Sequence, residues 1–187
     1  MSDPAVNNAQ EIVPDQVEYL LKLCKEKHVA VQAGGWQGDA PLLLALHFDL
    51  VYTYEPAIEN YGELVKSIDD QNIIPMFGLL SDKRGTGGVF KNKKNNSGDY
   101  RSKEDGAIPR YMIDDLGLEQ CDLIWLDIQG DEWEALHGAS RTIEEFHPVI
   151  GFEHAPKKCP QTHDVDQLLT SLGYEYVGHS HLDRFYV

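Results

Sequence analysis

The sequence predicts an α/β protein built on one mostly parallel sheet covered on both faces. Three observations predict this. Short apolar runs alternate along the chain with segments whose apolar residues recur at helical spacing. The runs at 29–33 and 123–128 are nearly continuous, as strands buried on both faces are. Glycines and acids stand directly after these runs, where strands of such a sheet turn into helices and where its ligands bind.

Each element follows in order. After a polar start, residues 1–13, which are expected to fray, Pro14 and Asp15 open a helix with Val17, Leu20, Leu21 and Cys24 on one face. Residues 29–33 form a strand that breaks into Gly34 and Gly35. Gly38, Asp39 and Pro41 then begin the next helix, since proline is tolerated in a first turn. A second strand at 49–54, a helix at 56–70 and a third strand at 73–80 follow. Residues 81–109 lose periodicity and fill with Gly, Lys, Asn and Ser, which reads as a long mobile loop or lid. Regular pattern resumes with a strand at 123–128, a helix at 131–146, a strand at 149–154 and a helix at 164–172. Two β-rich pieces, 174–178 and 183–187, read as a closing antiparallel hairpin. That makes seven strands in a single domain spanning 1–187.

Composition narrows the function. No stretch is long and apolar enough to span a membrane, and the first residues lack the pattern of a secretory signal, so a cytoplasmic protein is expected. Cys24, Cys121 and Cys159 are odd in number and form no C-x-x-C pair, which predicts reduced, packed thiols. A formal net charge of -15 repels phosphate backbones and disfavours nucleic acid as a partner. Lys83, Arg84, Lys91, Lys93, Lys94, Arg101 and Lys103 nevertheless cluster in the 81–109 segment, where they could grip a phosphate-bearing acceptor. Oligomeric state is not legible.

The strand ends carry the chemistry. Gln32, Ala33, Gly34, Gly35, Trp36, Gln37 and Gly38 form a glycine turn that lets backbone approach a ligand. Glu55 closes the next strand, about 20 residues on, where an acid accepts hydrogen bonds from both ribose hydroxyls. Trp36 stands where a pyrophosphate loop needs a small residue, which points away from dinucleotides. Ser81 and Asp82 follow the third strand, positioned either for an adenine edge or as turn formers. Asp127 follows the central strand as a base or acceptor-orienting group, or as a helix cap. Glu153 and His154 close the next strand, and an imidazole there suits base work near neutral pH. No metal site is assigned.

The stretch Leu126-Asp127-Ile128-Gln129-Gly130-Asp131-Glu132-Trp133-Glu134-Ala135-Leu136-His137-Gly138-Ala139 resembles the strand-to-helix signature of FkbM-type methyltransferases. The glycine turn, Tyr54-Glu55-Pro56, Leu80-Ser81-Asp82 and Ile113-Asp114-Asp115-Leu116 fall in the family's order. The resemblance implies a Rossmann-like class I methyltransferase fold, S-adenosylmethionine as cofactor, and transfer to a hydroxyl, commonly on a saccharide. With the strand-end reading, the candidate cofactor contacts are Gln32, Gly34, Gly35, Gly38, Glu55, Ser81, Asp82 and Asp127, and the candidate catalytic residues are Asp127, Glu153 and His154. The sequence departs from the family pattern at Gln32, Trp36 and Gln129. A nucleoside-binding module without catalysis is the alternative reading.

Overall fold

The computed structural model describes residues 4–92, 98–154 and 162–187, with side chains for all of these except 4–12, 162 and 163. The elements run α1 (Pro4–Leu23), β1 (Val29–Ala33), α2 (Asp39–Ala45), β2 (Leu50–Glu55), α3 (Ile58–Ser67), β3 (Ile73–Phe77) and β4 (Leu79–Leu80). They continue with β5 (Gly85–Lys91), β6 (Tyr100–Tyr111), a 3-10 turn (Ile113–Leu116), β7 (Leu123–Leu126), α4 (Glu132–His137) and α5 (Ser140–Phe146). The last are β8 (Val149–Glu153), α6 (Thr162–Ser171), β9 (Tyr176–Ser180) and β10 (Asp183–Tyr186).

Seven strands form the main sheet in the order β3-β2-β1-β7-β8-β10-β9. Pairing is parallel from β3 through β8, whereas β10 runs antiparallel to both β8 and β9. Chain order reverses between β1 and β7, which opens a crevice at the strand ends there. Every residue of β1, β7 and β8 is buried, as their apolar runs require. One face packs on α1 and α2 through Val17, Leu20 and Leu44, and the other on α4, α5 and α6 through Leu136, Ile143 and Leu169. Each such side chain contributes about 1.5–3 kcal/mol by leaving water. Asp122 fixes the start of β1, its Oδ2 accepting from the His28 and Val29 backbone N–H at 2.8 and 2.9 Å.

Three departures from the sequence expectation concern the helices and the 81–109 segment. The first helix starts at Pro4 rather than Pro14, which lies inside it. Proline lacks one N–H, yet the helix continues because buried Val17, Leu20 and Cys24 anchor the turns that follow. The expected helix at 131–146 is broken in two where Asp114 caps α5. Asp114 Oδ1 accepts from the Thr142 N–H and hydroxyl, both at 2.9 Å, and Oδ2 accepts from the Arg141 N–H at 3.1 Å.

The third departure is the largest. Within the expected loop at 81–109, the described residues form an antiparallel ribbon of β5 and β6, with β4 joining β6 in parallel as a second sheet. The ribbon shows no apolar period because backbone pairing, not core burial, holds it. Its glycines read as loop, but a Cβ at Gly106 would collide with the Gly87 carbonyl, so glycine is what lets the strands meet. Lys93 and Lys94 lie outside the described residues.

Candidate active site

A cavity of about 310 Å³ crosses the C-terminal ends of the parallel strands and reaches the start of β10. Six of the candidate cofactor-binding and catalytic residues line it: Gln32, Gly34, Gly35, Glu55, Asp127 and Glu153.

The β1–β3 half is shaped by close backbone approach. Gly34 has φ +86°, and a Cβ there would collide with the Asp127 carbonyl oxygen. Gly34 and Gly35 both donate N–H to the Tyr54 carbonyl, at 3.0 and 2.9 Å, so the turn is pinned to β2. Gln32 is buried and accepts from the Thr53 hydroxyl at 2.5 Å. Trp36 adopts φ +45°, an uncommon conformation for a bulky residue, and its N–H donates to Glu55 Oε2 at 2.8 Å. Glu55 Oε1 accepts from the Ala57 N–H at 2.8 Å. Burial nonetheless pushes the Glu55 carboxyl up to about 7, because desolvation outweighs its hydrogen bonds.

The β7–β10 half is a carboxylate cluster. A single nitrogen of Gln129 donates to Asp127 Oδ1 at 3.0 Å and to Glu153 Oε2 at 2.7 Å. The Trp125 indole donates to Asp183 Oδ2 at 2.6 Å, and Asp183 sits opposite Glu153 in the β8–β10 pairing. Burial, with Asp127 next in weight, holds the Asp183 carboxyl well above its ordinary range. Glu132 Oε1 accepts from the Ile128 and Gly130 N–H, each at 3.2 Å, and closes the signature loop from beneath. Burial raises its carboxyl to about 8.

The structure does not bring the other expected residues to the cavity. Gly38 adopts φ +110° ahead of α2 and donates its N–H to the Gly35 carbonyl at 2.9 Å, so it shapes the turn from outside. β3 ends at Phe77, three residues earlier than expected, and Gly78, Leu79 and Leu80 therefore occupy the wall that Ser81 and Asp82 were expected to provide. Ser81 is buried with its hydroxyl donating to Asp82 at 3.2 Å, and Asp82 faces solvent. The His154 ring lies 3.7 Å from Asp166 on α6, away from the cavity.

Among the lining residues that sequence reasoning missed are Gln16, Tyr100, Ser102 and Asp183. Gln16 carried a signal, being a polar residue inside the apolar stripe of Val13, Val17 and Leu20. The others belong to the ribbon and to the start of β10, whose placement depends on tertiary contacts. Among the described residues, no cluster of His, Cys, Asp and Glu is arranged to hold a metal ion, and no helix is long and apolar enough to cross a membrane.

The sequence profile of the Methyltransferase FkbM domain matches residues 13–176. The chain belongs to this family. The fold of this FkbM domain is similar to that of a methyltransferase FkbM from Methylobacillus flagellatus KT, with TM-score 0.65 and 17% identity over 91% of this chain. The chain spans about half of that protein's length, 50%. It is also similar to magnesium protoporphyrin IX methyltransferase from Synechocystis PCC 6803 with bound SAM, at TM-score 0.56 and 16% identity, covering 98% of this chain and 80% of that one. An rRNA methylase from Streptococcus thermophilus gives TM-score 0.50 and 11% identity over 92% of this chain and 91% of its own. No curated protein sequence matches.

The FkbM domain thus has the fold of a class I methyltransferase, and the similar magnesium protoporphyrin IX methyltransferase holds SAM. The cavity suits that group. It offers Cβ-free backbone at Gly34 and Gly35 and carboxylates for hydroxyls and positive charge, and among the described residues neither Lys nor Arg lines it for a pyrophosphate. The rRNA methylase shows that the fold is compatible with RNA, so only charge disfavours nucleic acid here.

Proposed function

We propose that this FkbM domain methylates a hydroxyl oxygen of a saccharide or another small molecule. The observation that carries the reading is the Gln129 bridge, which holds the Asp127 and Glu153 carboxylates together on the cavity wall at the ends of adjacent strands. Bound S-adenosylmethionine supplies an electrophilic methyl carbon on a sulfonium. Gly34, Gly35, Gln32 and Glu55 hold the nucleoside and methionine portions, with Glu55 accepting from the ribose hydroxyls. Gly78 and Leu79, rather than Ser81 and Asp82, line the adenine side. Gly38 supports the turn without touching the cofactor.

In-line transfer needs alignment above all, and removal of one proton. Asp127 orients the acceptor hydroxyl and takes its proton, and Glu153 fixes the acceptor beside it. His154 supports the end of β8 instead of acting as a base. Of the basic stretch, Arg84 is engaged by Asp115 at 2.7 Å and Lys91 sits over the Tyr100 ring, so these two are held by the protein rather than turned to a phosphate-bearing acceptor. Action in the cytoplasm is part of this reading, supported by the free, buried thiols of Cys24 and Cys121.

The test is methyl transfer from labelled S-adenosylmethionine across a panel of hydroxylated acceptors, with the product site located by mass spectrometry. Asp127→Asn should lower kcat by about 100-fold or more while leaving cofactor affinity in place. A label found on nitrogen or carbon, or an Asp127→Asn enzyme with an undiminished rate, would refute the reading.

A further inference from the structure

Among the described residues, six carboxylates line the cavity: Asp39, Glu55, Asp127, Asp131, Glu153 and Asp183. Five of them are held by donors of the protein. Glu55 accepts from two backbone N–H groups, Asp127 and Glu153 from Gln129, Asp131 from Ser102, and Asp183 from the Trp125 indole. Asp39 differs. It is half-buried, yet among the described residues no hydrogen bond or ion pair reaches its carboxylate. Burial holds the Asp39 carboxyl above its ordinary range, because desolvation disfavours the charge and no donor offsets it. A carboxylate in that state on a cavity wall is normally completed by a donor on whatever binds there.

Its place in the fold says which donor. Asp39 is the first residue of α2, directly after the glycine turn, and it lines the cavity with Ala40, whereas Gly38 stays outside. With the ribose at Glu55 and the methyl carbon beside Asp127, as proposed above, this stretch of wall is left for the amino-acid tail of the cofactor. That tail carries an α-ammonium. Gln32, at the other end of the turn, cannot balance it. Its amide is uncharged and 1% exposed, with its oxygen accepting from the Thr53 hydroxyl at 2.5 Å and its nitrogen donating to the Ala33 carbonyl at 3.1 Å.

We propose that the Asp39 carboxylate binds the α-ammonium of the S-adenosylmethionine tail, and so selects a cofactor that carries an amino acid over the bare nucleoside. The assignment rests on the cofactor reading above. A hydrogen bond between an ammonium and a carboxylate is charge-assisted, and it gives Asp39 the partner that the protein itself does not supply. The other five carboxylates keep their donors and the roles already given.

The test is calorimetric, on the whole protein, with S-adenosylhomocysteine, its analogue lacking only the α-amino group, and methylthioadenosine, which lacks the amino-acid tail. The native protein should bind the deaminated analogue about tenfold more weakly than S-adenosylhomocysteine. Asp39→Asn should lose about tenfold in affinity for S-adenosylhomocysteine and nothing for the other two, and its retained binding of methylthioadenosine shows that it is folded. The two losses should not add, because each removes the same pair. Asp39→Glu, which keeps the charge, should recover most of the affinity. An Asp39→Asn protein that binds S-adenosylhomocysteine as tightly as the native one overturns the assignment, and one that binds it more tightly does so by putting the tail's carboxylate against Asp39. An equal loss for all three compounds also overturns it, since that reports a disturbed cavity. Failure of the native protein to bind any of them would instead remove the cofactor reading, and the assignment with it.

Discussion

The side-chain amide of Gln129 donates to the Glu153 carboxylate at 2.7 Å, from the same nitrogen that reaches Asp127 at 3.0 Å. Gln129 occupies this place at φ +58°, so the loop is held in an uncommon conformation to deliver one donor between two acceptors. The FkbM-type signature usually carries glutamate here, and the amide does what a carboxylate could do only when protonated.

Replacement by the family's acid follows as a test. Gln129→Glu substitutes an acceptor for the donor and adds like charge, so it should cost about 1–3 kcal/mol at pH 8 by urea denaturation. The new carboxyl would have its folded pKa raised by its neighbours. A raised acid favours folding when protonated, so the lost stability should return as pH falls through that pKa. A Gln129→Glu protein as stable as the native one at pH 8 would mean that the bridge is not holding the carboxylates.

Glu55 gives a pH dependence with a defined sign. Its carboxyl is raised by burial from the ordinary 4.5 to about 7 in the free protein. The folded state therefore holds more protons than the unfolded chain between these values, and stability falls as pH rises through that window. Glu55→Gln should flatten this slope. Ribose hydroxyls favour the charged acceptor, so affinity for S-adenosylhomocysteine should rise by about tenfold from pH 6 to pH 8 with proton release. Glu55→Gln should bind about 10–100-fold more weakly, without that pH dependence. Calorimetry in buffers of different ionisation enthalpy reads both quantities.

The sheet was legible in the sequence because strands buried on both faces leave near-continuous apolar runs, and Val29–Ala33 and Val149–Glu153 came within a residue of their observed bounds. Glu55 and Asp127 were legible for the same reason, standing at strand ends. The ribbon was not. Tyr100 and Ser102 reach the cavity from a strand paired only through its backbone, which leaves no period in the side chains. Asp183 was hidden because its role depends on Trp125, 58 residues away in the chain. Ser81 and Asp82 were misplaced by the early end of β3, a boundary that sequence pattern fixes poorly.

Gly34 should be the least replaceable residue of the turn. A Cβ would meet the Asp127 carbonyl, which is itself fixed because the Asp127 N–H donates to the Ala33 carbonyl at 3.0 Å. Positive φ adds strain. Gly34→Ala should therefore cost more than about 3 kcal/mol and lower Tm accordingly. Gly62 is the contrast, within α3 and with nothing within 4 Å of its added Cβ. Gly62→Ala should gain about 0.5–1 kcal/mol from helix propensity. Paired thermal melts settle the point: similar effects at both positions would show that Gly34 is not packed as described.

The last prediction concerns how the ribbon is tied to the site. The Ser102 hydroxyl donates to Asp131 Oδ1 at 2.6 Å, joining β6 to the residue before α4. Burial raises the Asp131 carboxyl, and this hydrogen bond is the main effect opposing the rise. Ser102→Ala should lower global stability by only about 1 kcal/mol, since the ribbon stands outside the core. It should speed amide hydrogen exchange along β6, leave S-adenosylhomocysteine affinity intact, and raise KM for the acceptor, because Tyr100 and Ser102 line the cavity together. Asp131→Asn keeps an oxygen to accept from Ser102 and should preserve exchange protection, which separates loss of the tie from loss of the charge. If exchange along β6 is unchanged in Ser102→Ala, strand pairing alone holds the ribbon over the site.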